Sequence, residues 1–128
     1  MNFIKAAILV IAAAMLFTKP IYSQQQPDPY LAFAQVMPQP VGGLTAIYKR
    51  ITYPDAARSA HVEGKVYLLI YIDEEGKVDN VKVLKGIGMG CDEAAVRAVK
   101  EEAFTPATNN GVKVKVKLAM PINFQLGG

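Results

Sequence analysis

From residue 112 to residue 124 apolar and non-apolar side chains alternate with few exceptions. Val112, Val114, Val116, Leu118, Met120, Ile122 and Phe124 hold the even positions; Lys113, Lys115, Lys117, Ala119, Pro121 and Asn123 hold the odd ones. A period of two held this long predicts a strand with one buried face. Such a strand needs a sheet beside it and a layer behind its apolar side. Pro121 has no N–H to give to a ladder, so the strand belongs at a sheet edge. An edge strand presents unpaired backbone groups to which another polypeptide can add a strand. Along an unbulged edge the proline points outward, and alternation turns the backbone groups of Lys113, Lys115, Lys117 and Ala119 outward with it. These five odd-numbered residues are the candidate peptide- or receptor-binding edge. Lysines on such an edge also discourage unwanted pairing, a role compatible with partner selection.

The partner elements lie upstream. Leu44, Ile47, Tyr48 and Ile51 recur at helical spacing and predict a short amphipathic helix. Tyr53-Pro54 breaks it, and residues 54–60 predict a second short helix. Residues 63–73 predict a strand with Val66, Leu68, Ile70 and Ile72 on one face. Its other face carries Tyr67, Leu69 and Tyr71, so the strand belongs at the sheet centre. Those three residues, on a face without helices, predict a dimer or partner surface, or coverage by the N-terminal stretch. The 73–76 turn leads into a returning strand over 77–85, with Val81 and Val83 toward the helices. A glycine-rich loop at 86–90 precedes a helix with acids at its start and Val96, Val99 and Ala103 as its apolar stripe. Asn109-Asn110-Gly111 then turns the chain into the alternating strand. A right-handed crossover through the long helix places the first strand between the other two. The expected fold is α+β: a three-stranded antiparallel/mixed sheet in the order 2-1-3, with helices packed on one face.

Residues 1–23 carry a weakly basic start, an apolar core from Ala6 to Phe17 and Ser23 before a polar stretch, the pattern of a secretory signal peptide. The alternative is an inner-membrane anchor formed by residues 3–17 and facing the periplasm. Residues 24–40, with four prolines and five glutamines, predict an extended tether, and residues 41–126 the folded domain. With Lys5 and Lys19 set aside, 12 basic and 11 acidic side chains remain, which argues against nucleic-acid binding despite the sequence pI near 9.0. A single cysteine allows no intrachain disulfide, and one cysteine with one histidine makes no zinc site. The glycine loop lacks the Gly-Lys-Ser/Thr ending of a phosphate-binding loop. His61 reads as a helix-end or solvated residue, Cys91 as a small residue at a helix start, and the Asp73-Glu74-Glu75 cluster as a solvated turn. No catalytic constellation forms, so neither an enzyme, a cofactor nor a small-molecule substrate is expected.

Several pieces in order resemble the C-terminal domain of TonB, the periplasmic energy transducer: Tyr53-Pro-x-x-Ala57-Arg58, Glu63-Gly64-Lys65-Val66, Asp73-x-x-Gly76-Lys77-Val78, Ala94-Ala-x-x-Ala98-Val99, Phe104-x-Pro106-Ala107, Asn110-Gly111 and Pro121-Ile-x-Phe124. The resemblance implies a periplasmic protein-binding module whose last strand pairs with a segment of an outer-membrane receptor in energy-coupled transport. Transducers of that family carry a membrane helix with polar motor-contacting residues and a long Pro-rich spacer. Residues 3–17 hold no Ser or His, and residues 24–40 are a short spacer. These departures put coupling to an inner-membrane motor complex in doubt, and a freestanding periplasmic domain fits them better than a complete transducer. The alternative function is a structural or regulatory interaction domain, a homodimer or a competitor of a full-length transducer, with no direct transport role.

Overall fold

A computed structural model describes residues 28–127. The expected leader, residues 1–23, and the first residues of the expected tether lie outside them. In chain order the elements are α1 (Gly43–Arg50), α2 (Asp55–Ser59), β1 (Gly64–Ile72), β2 (Val78–Lys85), α3 (Cys91–Lys100), β3 (Ala107–Asn109), β4 (Val112–Val114) and β5 (Val116–Phe124). The main sheet runs β2-β1-β5, with β1 antiparallel to both neighbours. This is the 2-1-3 order expected from the alternation and the crossover.

One face of this sheet is the core. Val66, Leu68, Ile70 and Ile72 of β1 and Val116, Met120, Ile122 and Phe124 of β5 are buried there. Across the layer lie Ile47 of α1, Ala57 of α2 and Cys91, Ala94, Ala95, Ala98 and Val99 of α3. The stripe of α3 is thus 91, 94/95, 98/99 rather than 96, 99, 103; its small side chains bring the helix close to the sheet. Ala103 lies beyond the end of the helix. On β2, Val81 is partly buried, but Val83 stays 43% exposed at the sheet's outer margin.

The turns explain much of the geometry. α2 ends with the His61 N–H bonded to the Arg58 carbonyl and the Val62 N–H to the Ala57 carbonyl, a Schellman closure. His61 occupies the left-handed position where glycine is commonest, at φ 54. Tyr53 stacks edge-on against Phe124 at 5.4 Å and donates its hydroxyl to the Val62 carbonyl, fixing the corner between the short helices and β1. The Asp73 carboxylate accepts the Glu75 and Lys77 N–H groups at 2.9 and 2.8 Å, so this acid builds its turn rather than decorating it. Asp92 does the same for the glycine loop, accepting the Ile87 N–H at 2.8 Å.

Two further expectations are corrected. The alternating run is not one strand: it breaks at Lys115. β4 pairs with β3 across the Asn110-Gly111 turn, both residues at positive φ, as a tight hairpin requires. β5 pairs with β1. Past the break the expected buried face holds only in part: Val114 still packs against the core, but Val112, beside the turn, is 64% exposed. The second correction concerns residues 28–40, which dock on the domain instead of extending from it as a tether. Leu31 bridges Val116, Val36 bridges Thr108 and Pro40 bridges Phe104, and Ala34 is only 1% exposed.

Candidate functional site

β5 has one side bonded to β1 and one side facing away. Odd-numbered residues point their backbone groups away, as three observations establish. The Lys117 N–H donates to the Leu31 carbonyl at 2.9 Å. The Asn123 N–H donates to the Tyr48 hydroxyl at 3.1 Å. Pro121 lies between them with no N–H to give, opposite Tyr67 of β1. Among the described residues the Ala119 N–H has no bonding partner, and Ala119 itself is exposed. With the outward carbonyl of Lys117 it forms a backbone slot wide enough for one residue of an added strand.

The five edge residues do not share one surface. Lys117, Ala119 and Pro121 lie on β5. Lys115 sits at the break, its carbonyl accepting the Leu31 N–H at 2.9 Å. Lys113 belongs to β4, opposite Thr108. The edge expected from 113 to 119 is thus open chiefly at its 117–119 end, because Leu31 fills the slot before it as a parallel strand.

Residues 28–31 also reach over the helix-free face. Asp28 pairs with the Lys117 ammonium at 2.9 Å. The Tyr30 ring stands edge-on against Tyr71 at 5.0 Å, its hydroxyl bonds Asp79 of β2, and the Lys115 ammonium lies 5.6 Å from its centroid. Of the three residues expected to form a partner face, Tyr71 is therefore covered by the chain's own N-terminal stretch. Tyr67 remains 39% exposed and Leu69 half-buried, cross-strand from Pro121 and Ala119. Sequence reasoning missed the Tyr30, Asp28 and Tyr48 contributions; isolated residues in a Pro/Gln-rich stretch and on a short helix carry no periodic signal.

Cys91 and Glu102 both lie inside the fold. Burial pushes the Cys91 thiol up, with Asp92 and Glu93 adding to the shift, the opposite of an activated nucleophile. The buried Glu102 carboxylate bonds Arg50 at 2.8 Å, tying α1 to the end of α3. Among the described residues no cluster of ligating side chains has metal-site geometry. No described helix is long and apolar enough to cross a membrane.

The 28–31 contacts are pH-sensitive at both extremes. Lys117, and then the Tyr30 N–H, hold the Asp28 carboxyl below its usual value near 3.8, with a smaller contribution from Lys82. A depressed acid stabilises above that value and loses its contribution as pH falls through the lower folded one. Asp28 in turn raises the Lys117 ammonium. The Asp79 bond, seconded by burial and the charges of Asp79, Asp73 and Asp28, raises Tyr30 to about 12. Both raised groups stabilise below their ordinary values and lose this as pH climbs through the folded ones. The NOE between the Tyr30 and Tyr71 rings is therefore expected to be constant from about pH 5 to 9, fading below about 4 and above about 10.

The described residues form a small α+β domain whose β5 edge is partly open along its backbone. The family model for the Gram-negative bacterial TonB protein C-terminal matches residues 49–126. The chain belongs to the TonB C-terminal domain family. It is 39% identical over 75 residues to protein TonB of Xanthomonas campestris, covering 58% of this chain and 34% of the relative. It is 30% identical over 111 residues to protein TonB of Vibrio cholerae, covering 83% and 46% respectively. The chain thus spans between a third and a half of the length of these two relatives. The solution structure of a Helicobacter pylori TonB C-terminal domain superposes with a TM-score of 0.54 at 30% identity, covering 66% of this chain and 78% of that one.

Proposed function

We propose that this protein is a periplasmic binding module that adds a segment of an outer-membrane receptor as a strand along β5, in energy-coupled transport. The observation that carries this reading is the outward slot of the Lys117 carbonyl and the Ala119 N–H on an exposed edge. Backbone bonds supply affinity in such pairing, and side chains beside the edge supply selectivity. Lys117 on one side and the exposed Leu44 and Tyr48 of α1 supply candidate side-chain contacts. A second reading, a homodimer through Tyr67 and Leu69, is favoured by the exposure of Tyr67 beside Pro121.

The test places a photo-crosslinking residue at Ala119 in cells and identifies the adduct by mass spectrometry. A receptor segment is the expected partner. An adduct only with a second copy of this chain would overturn the receptor reading in favour of the homodimer. Ala119→Pro is expected to abolish the receptor complex while shifting the unfolding free energy by no more than about 1 kcal/mol, because it deletes an outward N–H only. Retained binding by a folded Ala119→Pro protein would remove the slot from the mechanism.

A further inference from the structure

We propose that residues 28–31 are a built-in competitor for the β5 edge, a short strap that a partner strand must displace; the inference rests on reading that edge as the binding site. Leu31 makes the two backbone bonds of a parallel added strand, its N–H to Lys115 and its carbonyl from Lys117, both at 2.9 Å. Asp28 takes the Lys117 ammonium, and Tyr30 lies on Tyr71. The strap therefore offers the edge what an incoming polypeptide would offer: extended backbone, an acid for Lys117 and an aromatic ring for the sheet face.

Its hold is shallow and short. Pro29 has no N–H with which to continue the ladder toward the N-terminus. Leu31 and Phe33 leave their side chains exposed, Phe33 at 75%. Just beyond, the chain is fastened firmly. Ala34 is in the core, Gln35 bonds Asn109 and Asn110, and Val36 exchanges two backbone bonds with Thr108 at 3.0 Å. The strap can thus lift without undocking the segment behind it. A longer strand, also taking the Lys117 carbonyl and the Ala119 N–H, forms more bonds on the same edge than the strap does. The partner that fits is an extended segment with an acidic residue to meet Lys117 and an aromatic or apolar residue to meet Tyr71. Tethering gives the strap a high effective concentration, so it suppresses weak partners and yields to longer ones.

The experiment titrates a synthetic peptide with the sequence of residues 27–34 into the full chain, followed by amide NMR. Wild type is compared with the double variant Asp28→Lys, Tyr30→Ser, which leaves the strap's backbone intact, and with Leu31→Pro, which removes its N–H. Both variants are expected to bind the peptide at least tenfold more tightly than wild type, with shifts centred on residues 115–119. Leu31→Pro is also expected to lose hydrogen-exchange protection at the Lys117 amide. Equal affinities in all three proteins, with shifts on β5, would overturn the strap and leave the edge reading standing. Undiminished Lys117 protection in Leu31→Pro would overturn it too. Shifts absent from β5 in every protein would sink the edge reading and the strap together.

Discussion

Val116→Asp is expected to abolish cooperative unfolding of the domain at neutral pH. Val116 is fully buried, opposite Ile72 of β1. Removing it forfeits roughly 1.5–3 kcal/mol of apolar burial, and the new carboxylate arrives without a charge partner among core side chains. An unpaired buried charge adds several kcal/mol more, against a total stability of about 5–15 kcal/mol for a small domain. Lys115→Gln, one residue away at the break, keeps the backbone bond to Leu31 and gives up a partly exposed ammonium near the Tyr30 ring. It should shift stability by less than about 1 kcal/mol. Thermal melts followed by circular dichroism separate the two outcomes, and similar melting temperatures would mean that the assigned faces of β5 are reversed.

That contrast was legible in the sequence because side-chain alternation is a local property. Each residue of a strand faces opposite its neighbour whatever the strand pairs with, so Val66 to Ile72 and Val116 to Phe124 disclosed their buried faces directly. Pro121 disclosed the edge for an equally local reason, a missing donor. Pairing partners are not local. Nothing in the run 112–124 marks Lys115 as the point where the strand passes from β3 to β1. Nor does the composition of residues 28–40 disclose docking, which here depends on single backbone bridges and one small buried side chain, Ala34. The candidate site divides on the same line. Its outward polarity followed from alternation, whereas the strap at Leu31 and the Tyr48 hydroxyl on Asn123 are contacts across 75 or more residues of sequence. The ion pair of Arg50 with buried Glu102 escaped notice for the same reason.

Gly76→Ala is the second substitution expected to have a large effect, and its cause is also a distant contact. Gly76 closes the β1–β2 turn at φ +87, where an L side chain is strained by roughly 1–2 kcal/mol. A Cβ there would also overlap the backbone carbonyl of Phe104, and neither group is a flexible side chain that can swing away. The Phe104 N–H donates to the Gly76 carbonyl at 3.0 Å, so the turn and the 104–106 segment are fastened at this point, with the Phe104 ring buried beside it. Relieving the overlap means parting them, which loosens Phe104 and adds about 1–3 kcal/mol. Gly111→Ala isolates the conformational part. Gly111 sits at φ +78 in the β3–β4 turn with nothing within 4 Å of a Cβ, so only the dihedral strain applies. At about 4–8 °C per kcal/mol for a domain of this size, Gly76→Ala should melt on the order of 10–30 °C below wild type. Gly111→Ala should melt about 5–15 °C below it. Equal losses in the two variants would mean that the Gly76–Phe104 approach is slack, and that the turn tolerates a methyl group wherever the backbone tolerates the dihedral.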